Sequence, residues 1–135
     1  MGTIVCAVDA SAGAAEAVRR AIELSEGLRL RLVLAHVASG HRLVEGYAGV
    51  NGRLAREGAE RLLERVVQRH GLQDKAERRA EVGTPADLIL RVAAEEGADM
   101  IVVGASRRRS GFKSALAGEL AGAASCPVVV VPPTP

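Results

Sequence analysis

Residues 83–104, GTPADLILRVAAEEGADMIVVG, carry the clearest indication of the fold class. Thr84 is a favourable residue for a helix N-cap, and Pro85 suits the first helical position. Apolar residues recur at helical spacing up to Gly97, which is placed to end the helix. Met100–Val103 then forms a short β-branched run of the kind that is buried on both faces. The stretch therefore predicts a helix that leads into a buried parallel strand.

The same alternation extends in both directions along the chain. Further strands are predicted over Thr3–Val8, Leu30–Val37, Ala76–Val82 and Pro127–Val131. A helix is predicted over about 12–26, with Ser11 and Gly27 as its caps, and two more are predicted over 53–70 and through Leu116 and Leu120. Loops are predicted over Ala38–Gly52 and Ala105–Gly111. Strands separated by helices imply right-handed crossovers. We predict one doubly wound α/β domain over 1–132, with five parallel strands in order 3-2-1-4-5, four helices and a Pro-rich tail at 133–135.

This strand order also predicts where a ligand would bind. In doubly wound sheets the binding crevice lies beyond the carboxyl ends of the strands, where the strand order reverses. Here that position lies between strands 1 and 4. The residues of interest are Asp9, His36 and Val37 at strand ends, and the loop that follows Gly104.

Composition restricts the class of protein. Apolar residues make up 48% of the chain, yet Tyr and Phe occur once each, so the core must consist of Val, Ile, Leu and Ala. A net charge of +2 gives no indication of nucleic-acid binding. Cys6 lies in an apolar run and is predicted to be buried, and no signal peptide or membrane-spanning run is evident. We expect a cytoplasmic protein.

Four segments resemble the universal stress protein family in the order in which that family has them. They are Ile4–Ser11, which ends in Asp-x-Ser, Leu34–Val37, the Gly-x-Pro-Ala to Ala-Asp-x-Ile-Val-x-Gly segment 83–104, and Cys126–Val131. The resemblance covers nearly the whole chain. It implies a Rossmann-like regulatory or binding module that forms a homodimer and is not an enzyme.

Many members of that family bind ATP with a Gly-x2-Gly-x9-Gly-Ser/Thr loop after strand 4. Gly104 matches the first glycine, but Arg107 stands at the second position. Ala117 stands at the third, or Gly118 if one residue is inserted, and Glu119 then replaces the hydroxyl residue. Glycines bring backbone N–H groups close to phosphate, and a carboxylate repels it. The motif is therefore degraded, and ATP or AMP is expected to bind weakly or not at all.

Other residues would share in a nucleotide site if one exists. The resemblance implies that Asp9 and Val37 contact the adenine or ribose end. The guanidinium groups of Arg107, Arg108 and Arg109 could hold phosphates through side chains, although such a run is also typical of a solvated loop. A dimeric interaction or scaffold protein with an empty pocket is the alternative.

The edge strand predicts the dimer contact. Strand 5 lies at a sheet edge and consists of four uncharged residues, Val128, Val129, Val130 and Val131. Such an edge is a template for pairing with another strand. We expect two copies to pair through it about a two-fold axis, as the resemblance also implies. His36 is expected to pack under the sheet end rather than to catalyse, and no residues stand at metal-ligand spacing.

Overall fold

The computed structural model describes residues 2–9, 13–39, 48–108, 111–113 and 115–133. Eleven elements follow one another along these segments. They are β1 (Thr3–Ala7), α1 (Ala14–Leu28), β2 (Arg31–Ser39), α2 (Ala48–His70), β3 (Ala76–Gly83), α3 (Pro85–Glu96), β4 (Met100–Gly104), β5 (Ser106–Arg108), β6 (Gly111–Lys113), α4 (Ala115–Ala123) and β7 (Val128–Val131).

Five parallel strands form the main sheet, in the order β3-β2-β1-β4-β7. This is the predicted 3-2-1-4-5 arrangement, so the predicted fold class is confirmed. In the central strand, Ala7 pairs with Ala35 of β2 and with Val103 of β4. The carboxyl ends of the three middle strands therefore meet at one edge of the sheet, called the carboxyl edge below.

Helices cover both faces of the sheet and create two aliphatic core layers. Alternate residues of β1 point into opposite layers, because successive strand side chains lie on opposite faces. Ile4 and Cys6 join the layer under α1 and α2, whereas Val5 and Ala7 join the layer under α3 and α4. All five residues of β1 are buried. The prediction of an aliphatic core around this strand is confirmed.

The ends of α3 follow the sequence signals. Thr84 occupies the N-cap position with an extended backbone, although its side chain forms no capping hydrogen bond, and Pro85 begins the helix. Gly97 ends it in the left-handed conformation, at φ 64°. Gly83 has φ 151°, and a Cβ built on it would lie 2.9 Å from Leu88 Cδ2. The Gly-x-Pro-Ala motif thus has a local explanation, since a side chain at Gly83 would be strained and crowded.

The predicted ends of α1 and the predicted bounds of the loop 38–52 were wrong. Helix α1 runs through Gly27 and ends with Arg29 in the left-handed conformation, φ 55°, where Leu30 N–H donates to Ser25 O at 2.8 Å. The connection from α1 must bring β2 into register with β1, and this requirement sets the residue at which the helix ends. At its start Gly13 is the N-cap, and the predicted cap Ser11 lies outside the described residues. Within the predicted loop 38–52, β2 extends to Ser39 and α2 begins at Ala48, and residues 40–47 lie outside the described residues.

The loop predicted over Ala105–Gly111 was also wrong. In the described residues of this segment, β5 pairs with β6 in an antiparallel ladder, and residues 109 and 110 lie outside the described residues. Each strand has only three residues, which is too short for an alternating hydrophobic pattern to be visible in sequence.

Ion pairs fasten the edge strand β3 to α3. The Arg79 guanidinium donates to Glu95 Oε1 at 2.6 Å and to Glu96 Oε2 at 2.7 Å. Arg31 on β2 also pairs with Glu96, at 3.0 Å. The predicted position of this charged strand at the sheet edge is confirmed.

Candidate functional site

A cavity of about 230 Å³ opens at the carboxyl edge, on the side of the sheet that α3 and α4 cover. Asp9 follows β1 directly, and Val37 lies near the end of β2. Both residues line this cavity, which we call the edge cavity. The remaining lining residues are Ala7, Val8, His36, Pro85, Ile89 and Leu116. The structure therefore brings together Asp9 and Val37, the two residues that sequence reasoning assigned to the base end of a nucleotide.

Backbone hydrogen bonds make the floor of the edge cavity rigid. Val8 N–H donates to Ala35 O at 2.8 Å, which extends the β1–β2 ladder past the end of β1. The half-buried ring of His36 donates from Nδ1 to Val8 O, with the two atoms 2.5 Å apart. Because a carbonyl oxygen only accepts, Nδ1 must carry the proton. This contact gives His36 a positioning role at the sheet end.

Pro85 and Leu116 are lining residues that the sequence did not single out. Pro85 is recognisable as the start of α3, and α3 packs its first turn beside the ends of β1 and β2. Leu116 belongs to α4 and contributes apolar surface to the same wall. Only the packing of two helices on one face of the sheet shows that these side chains reach the cavity.

Comparison with known proteins gives the family. The sequence matches the profile of the universal stress protein family over residues 1–132. The chain belongs to the universal stress protein family. No curated protein matches it.

Solved universal stress proteins share the fold at low sequence identity. Universal stress protein UspA from Lactobacillus plantarum is 20% identical, with a TM-score of 0.79 over 96% of this chain and 97% of that one. An Arabidopsis thaliana family member with AMP bound is 20% identical, with a TM-score of 0.67 over 99% and 93%. The Archaeoglobus fulgidus protein in complex with dAMP is 22% identical, with a TM-score of 0.63 over 97% and 98%.

Gly104, the first glycine of the predicted nucleotide loop, lies in a crowded backbone contact. A Cβ built on it would lie 2.8 Å from Gly13 O and 3.1 Å from Gly13 C. A side chain at Gly13 would be equally crowded, because its Cβ would lie 2.7 Å from Ala105 O. The end of β4 and the start of α1 thus require glycine in this universal stress protein whether or not a ligand is present.

The later part of the predicted loop lies in α4. Gly118 is exposed within this helix, and a Cβ built on it would meet no atom within 4 Å. Glu119 follows it and is also exposed, whereas Ala117 is buried. Backbone N–H groups inside a helix bond to carbonyls of the preceding turn. Gly118 is therefore placed as a helical residue.

The predicted arginines are located only in part. The backbones of Arg107 and Arg108 lie in β5, which follows β4 closely. Arg109 lies outside the described residues. The assignment of these arginines, together with Asp9, Val37, Gly104 and Gly118, to a nucleotide stays a prediction.

The cysteines offer no activated nucleophile. Burial, together with a smaller effect of the Asp9 carboxylate, raises the pKa of the Cys6 thiol to about 12. Cys126 is half-buried, and burial with the charge of Asp99 raises its pKa as well. A thiol reacts as its thiolate, so both groups are held in the inert form at neutral pH.

The described segments show neither a metal cluster nor a membrane-spanning helix. No group of three His, Cys, Asp or Glu side chains among them could hold a metal ion. No described helix combines the length and the apolarity that a membrane crossing requires.

Proposed function

We propose that this universal stress protein is a homodimeric regulatory binding module that holds an adenine nucleotide weakly and catalyses no reaction. The edge cavity is the observation that carries the proposal, since Asp9 and Val37 line it together. Structural neighbours with AMP and dAMP bound support the choice of ligand. The location of the edge cavity also supports the proposal, because ligands of doubly wound sheets bind where the strand order reverses.

The size of the cavity limits how a nucleotide could sit. Cavities that hold whole small ligands span about 300 to 1,000 Å³, and the edge cavity has about 230 Å³. The base end would fill it, and the phosphates would lie outside, towards the start of α4. Leu116 connects the two places, because it lines the cavity and belongs to the first turn of that helix.

The charge at α4 explains why the affinity should be low. The N-terminus of a helix favours anions, but the exposed Glu119 adds a carboxylate to the turn that follows the first turn of α4. A carboxylate facing a phosphate is repulsive by about 1 to 4 kcal/mol at partly exposed distances. That range corresponds to a loss of about five-fold to several hundred-fold in affinity. Weak binding at the base end is therefore the expected state of the wild type.

Titration calorimetry with AMP and ATP tests the nucleotide site. The wild type should bind with a dissociation constant weaker than micromolar. Glu119→Ser should bind ATP at least about five-fold more tightly, because it removes the repulsion. Asp9→Asn should weaken AMP binding, whereas Asp74→Asn, in the exposed turn before β3 at the opposite edge, should leave it unchanged. Micromolar or tighter ATP binding by the wild type would overturn the weak-binding proposal.

A scaffold without nucleotide is the alternative, and one observation favours it. Gly104 is the best-preserved residue of the loop motif, yet its contact with Gly13 explains it without any ligand. If neither AMP nor ATP binds the wild type or Glu119→Ser, while the protein remains dimeric, the scaffold function stands and the nucleotide function falls.

The dimer part of the proposal rests on β7. This strand forms the last position of the sheet and pairs only with β4 among the described strands. Ile101 N–H donates to Pro127 O at 3.0 Å, and Ala105 N–H donates to Val131 O at 2.9 Å. Backbone groups alternate in direction along a strand, so those of Val128 and Val130 point away from β4. These are the groups that a second copy of β7 would satisfy.

The side chain of Val130 supports the same interface. It is 43% exposed, one of few large apolar side chains with that much exposure among the described residues. Antiparallel pairing of two β7 strands would cover it and would bury apolar surface at about 25 cal/mol per Å². Edge pairing and apolar burial thus favour the same two-fold contact.

Sedimentation at micromolar concentration tests the dimer with a matched pair of variants. Val130→Pro removes an N–H that points to the open edge, so it should shift the protein to monomer without unfolding it. Val129→Pro removes an N–H that points to β4, so it should lower the unfolding midpoint instead. A monomeric wild type ends the proposal, as does a Val130→Pro variant that stays fully dimeric.

A further inference from the structure

A larger cavity lies on the opposite side of the sheet, between α1 and α2. It has a volume of about 320 Å³ and shares Val8 and Asp9 with the edge cavity, and we call it the helix groove. Its apolar walls come from the start of α1 and the second half of α2, through Ala15, Val18, Leu62 and Val66. Val18 is buried, and the other three are half-buried. The volume falls in the range of small-molecule cavities, about 300 to 1,000 Å³.

Cations are concentrated at one end of the helix groove. Arg65 and Arg69 of α2 line it, beside His70, whose lowered pKa favours the neutral ring. Neither arginine forms an ion pair or a side-chain hydrogen bond with any residue in the described part of the chain. Arg19 on α1 adds charge nearby, since it lowers the pKa of His70 together with Arg69 and the larger effect of burial. Arg19 is itself paired with Glu16.

The helix alone does not account for these cations. Arg69 lies in the last turn of α2, where its positive charge complements the helix dipole. Arg65 lies a turn earlier, where that effect has faded. It also stands four residues from both Arg61 and Arg69, and like charges at this spacing destabilise a helix by about 0.2 to 0.5 kcal/mol per pair. An anion in the groove would turn this repulsion into attraction.

The negative charge of the groove lies at its other end. Asp9 lines it beside the start of α1, at the carboxyl edge. Helix α2 runs back to the amino edge, where β3 begins, so its arginine-bearing end lies away from Asp9. The groove is thus polarised, with an apolar stretch between a carboxylate and two unpaired guanidinium groups. A ligand with one anionic head and an apolar body matches that polarity in one orientation only.

We propose that the helix groove binds a medium-chain fatty acid, with its carboxylate on Arg65 and Arg69 and its alkyl chain on the apolar walls. Arginine forks suit carboxylates, which they contact through two parallel hydrogen bonds. The helix groove and the edge cavity share Val8 and Asp9 at the carboxyl edge, but Arg65 and Arg69 line only the helix groove. The two arginines that would hold the carboxylate are therefore no part of the proposed nucleotide site.

Octanoate is the probe, and amide NMR titration of the dimeric full chain is the measurement. Octanoate should give saturable shifts confined to α1 and α2, and octylammonium, with the same chain and opposite charge, should not. Arg65→Gln combined with Arg69→Gln should weaken octanoate at least about tenfold, the effect of a lost charged hydrogen bond. Arg61→Gln, on the same helix but outside the groove, should leave the affinity unchanged.

A second variant separates shape from charge. Ala15→Leu keeps every charge and places a larger side chain into the groove, so it should also abolish saturable octanoate shifts. Thermal unfolding of each variant confirms that it is folded. Absence of saturable shifts in the wild type overturns the proposal. So does equal binding of octylammonium, or an equal loss of affinity in Arg61→Gln.

Discussion

Gly104→Ala is the substitution that best separates packing from ligand binding in this protein. The new Cβ would lie 2.8 Å from Gly13 O, 3.1 Å from Gly13 C and 3.5 Å from Ala17 Cβ. The two shortest contacts are with backbone atoms, which cannot rotate away as a side chain can. Relief requires a shift of α1 against β4, next to the central strand of the sheet.

The magnitude follows from two opposing effects. Overpacking a well-packed region costs about 1 to 3 kcal/mol. Replacing glycine by alanine restricts the unfolded chain, which restores about 0.4 to 1 kcal/mol. The overpacking effect is larger, so at mid-range Gly104→Ala should lower the free energy of unfolding by about 1.3 kcal/mol, and by at most about 2.6 kcal/mol. Gly13→Ala should do the same, because its Cβ would meet Ala105 O at 2.7 Å.

Urea unfolding followed by far-UV circular dichroism measures this effect, since the chain has no tryptophan. Each variant is compared at one protein concentration, because the unfolding of the proposed dimer would depend on concentration. Gly118→Ala is the matched control. It lies in α4 with open space around its Cβ, so it should raise the free energy of unfolding by about 0.5 to 1 kcal/mol. A Gly104→Ala protein as stable as the wild type would refute the packing argument.

Two further predictions concern protonation. The hydrogen bond from Arg79 lowers the pKa of Glu95 in the folded state, so the stability it adds is present above the ordinary value of 4.5 and is lost as the pH falls through the lowered pKa. Urea midpoints from pH 7 to pH 3 should therefore fall less steeply in Glu95→Gln than in the wild type, and parallel curves would contradict the linkage. Ellman's reagent at pH 8 should leave Cys6 unmodified until the protein unfolds, because burial raises its pKa to about 12, whereas modification of native Cys6 would show that β1 opens readily.

Sequence patterns were sufficient for the framework of the fold. The β-branched runs of β1 and β4 and the start and end signals of α3 reflect local chemistry, so they could be recognised without coordinates. The end of α1 could not be recognised from local sequence. Gly27 looked like a terminator, but the register of β2 against β1 decided where the helix stopped. Such boundaries depend on contacts between distant segments.

The candidate site was partly predictable for the same reason. The strand-order rule placed Asp9 and Val37 at one edge, and the structure puts both on one cavity. It could not indicate that Leu116 would complete the wall, because that requires the packing of α4. The helix groove was missed altogether. In the sequence, Arg65 and Arg69 are typical of the solvated face of an amphipathic helix. Only the packing of α1 beside α2 shows that they line a cavity.

The loop motif shows how unequal its residues are as indicators of nucleotide binding. Gly104 matches the family pattern, but its contact with Gly13 would preserve glycine there in a protein that binds nothing. Glu119 is exposed, so packing does not restrict the residue type at that position. A hydroxyl residue could stand there without disturbing the fold, yet the chain has a carboxylate. Because packing does not restrict position 119, the residue there is the more informative one. Glu119 therefore argues for weak binding more strongly than Gly104 argues for tight binding.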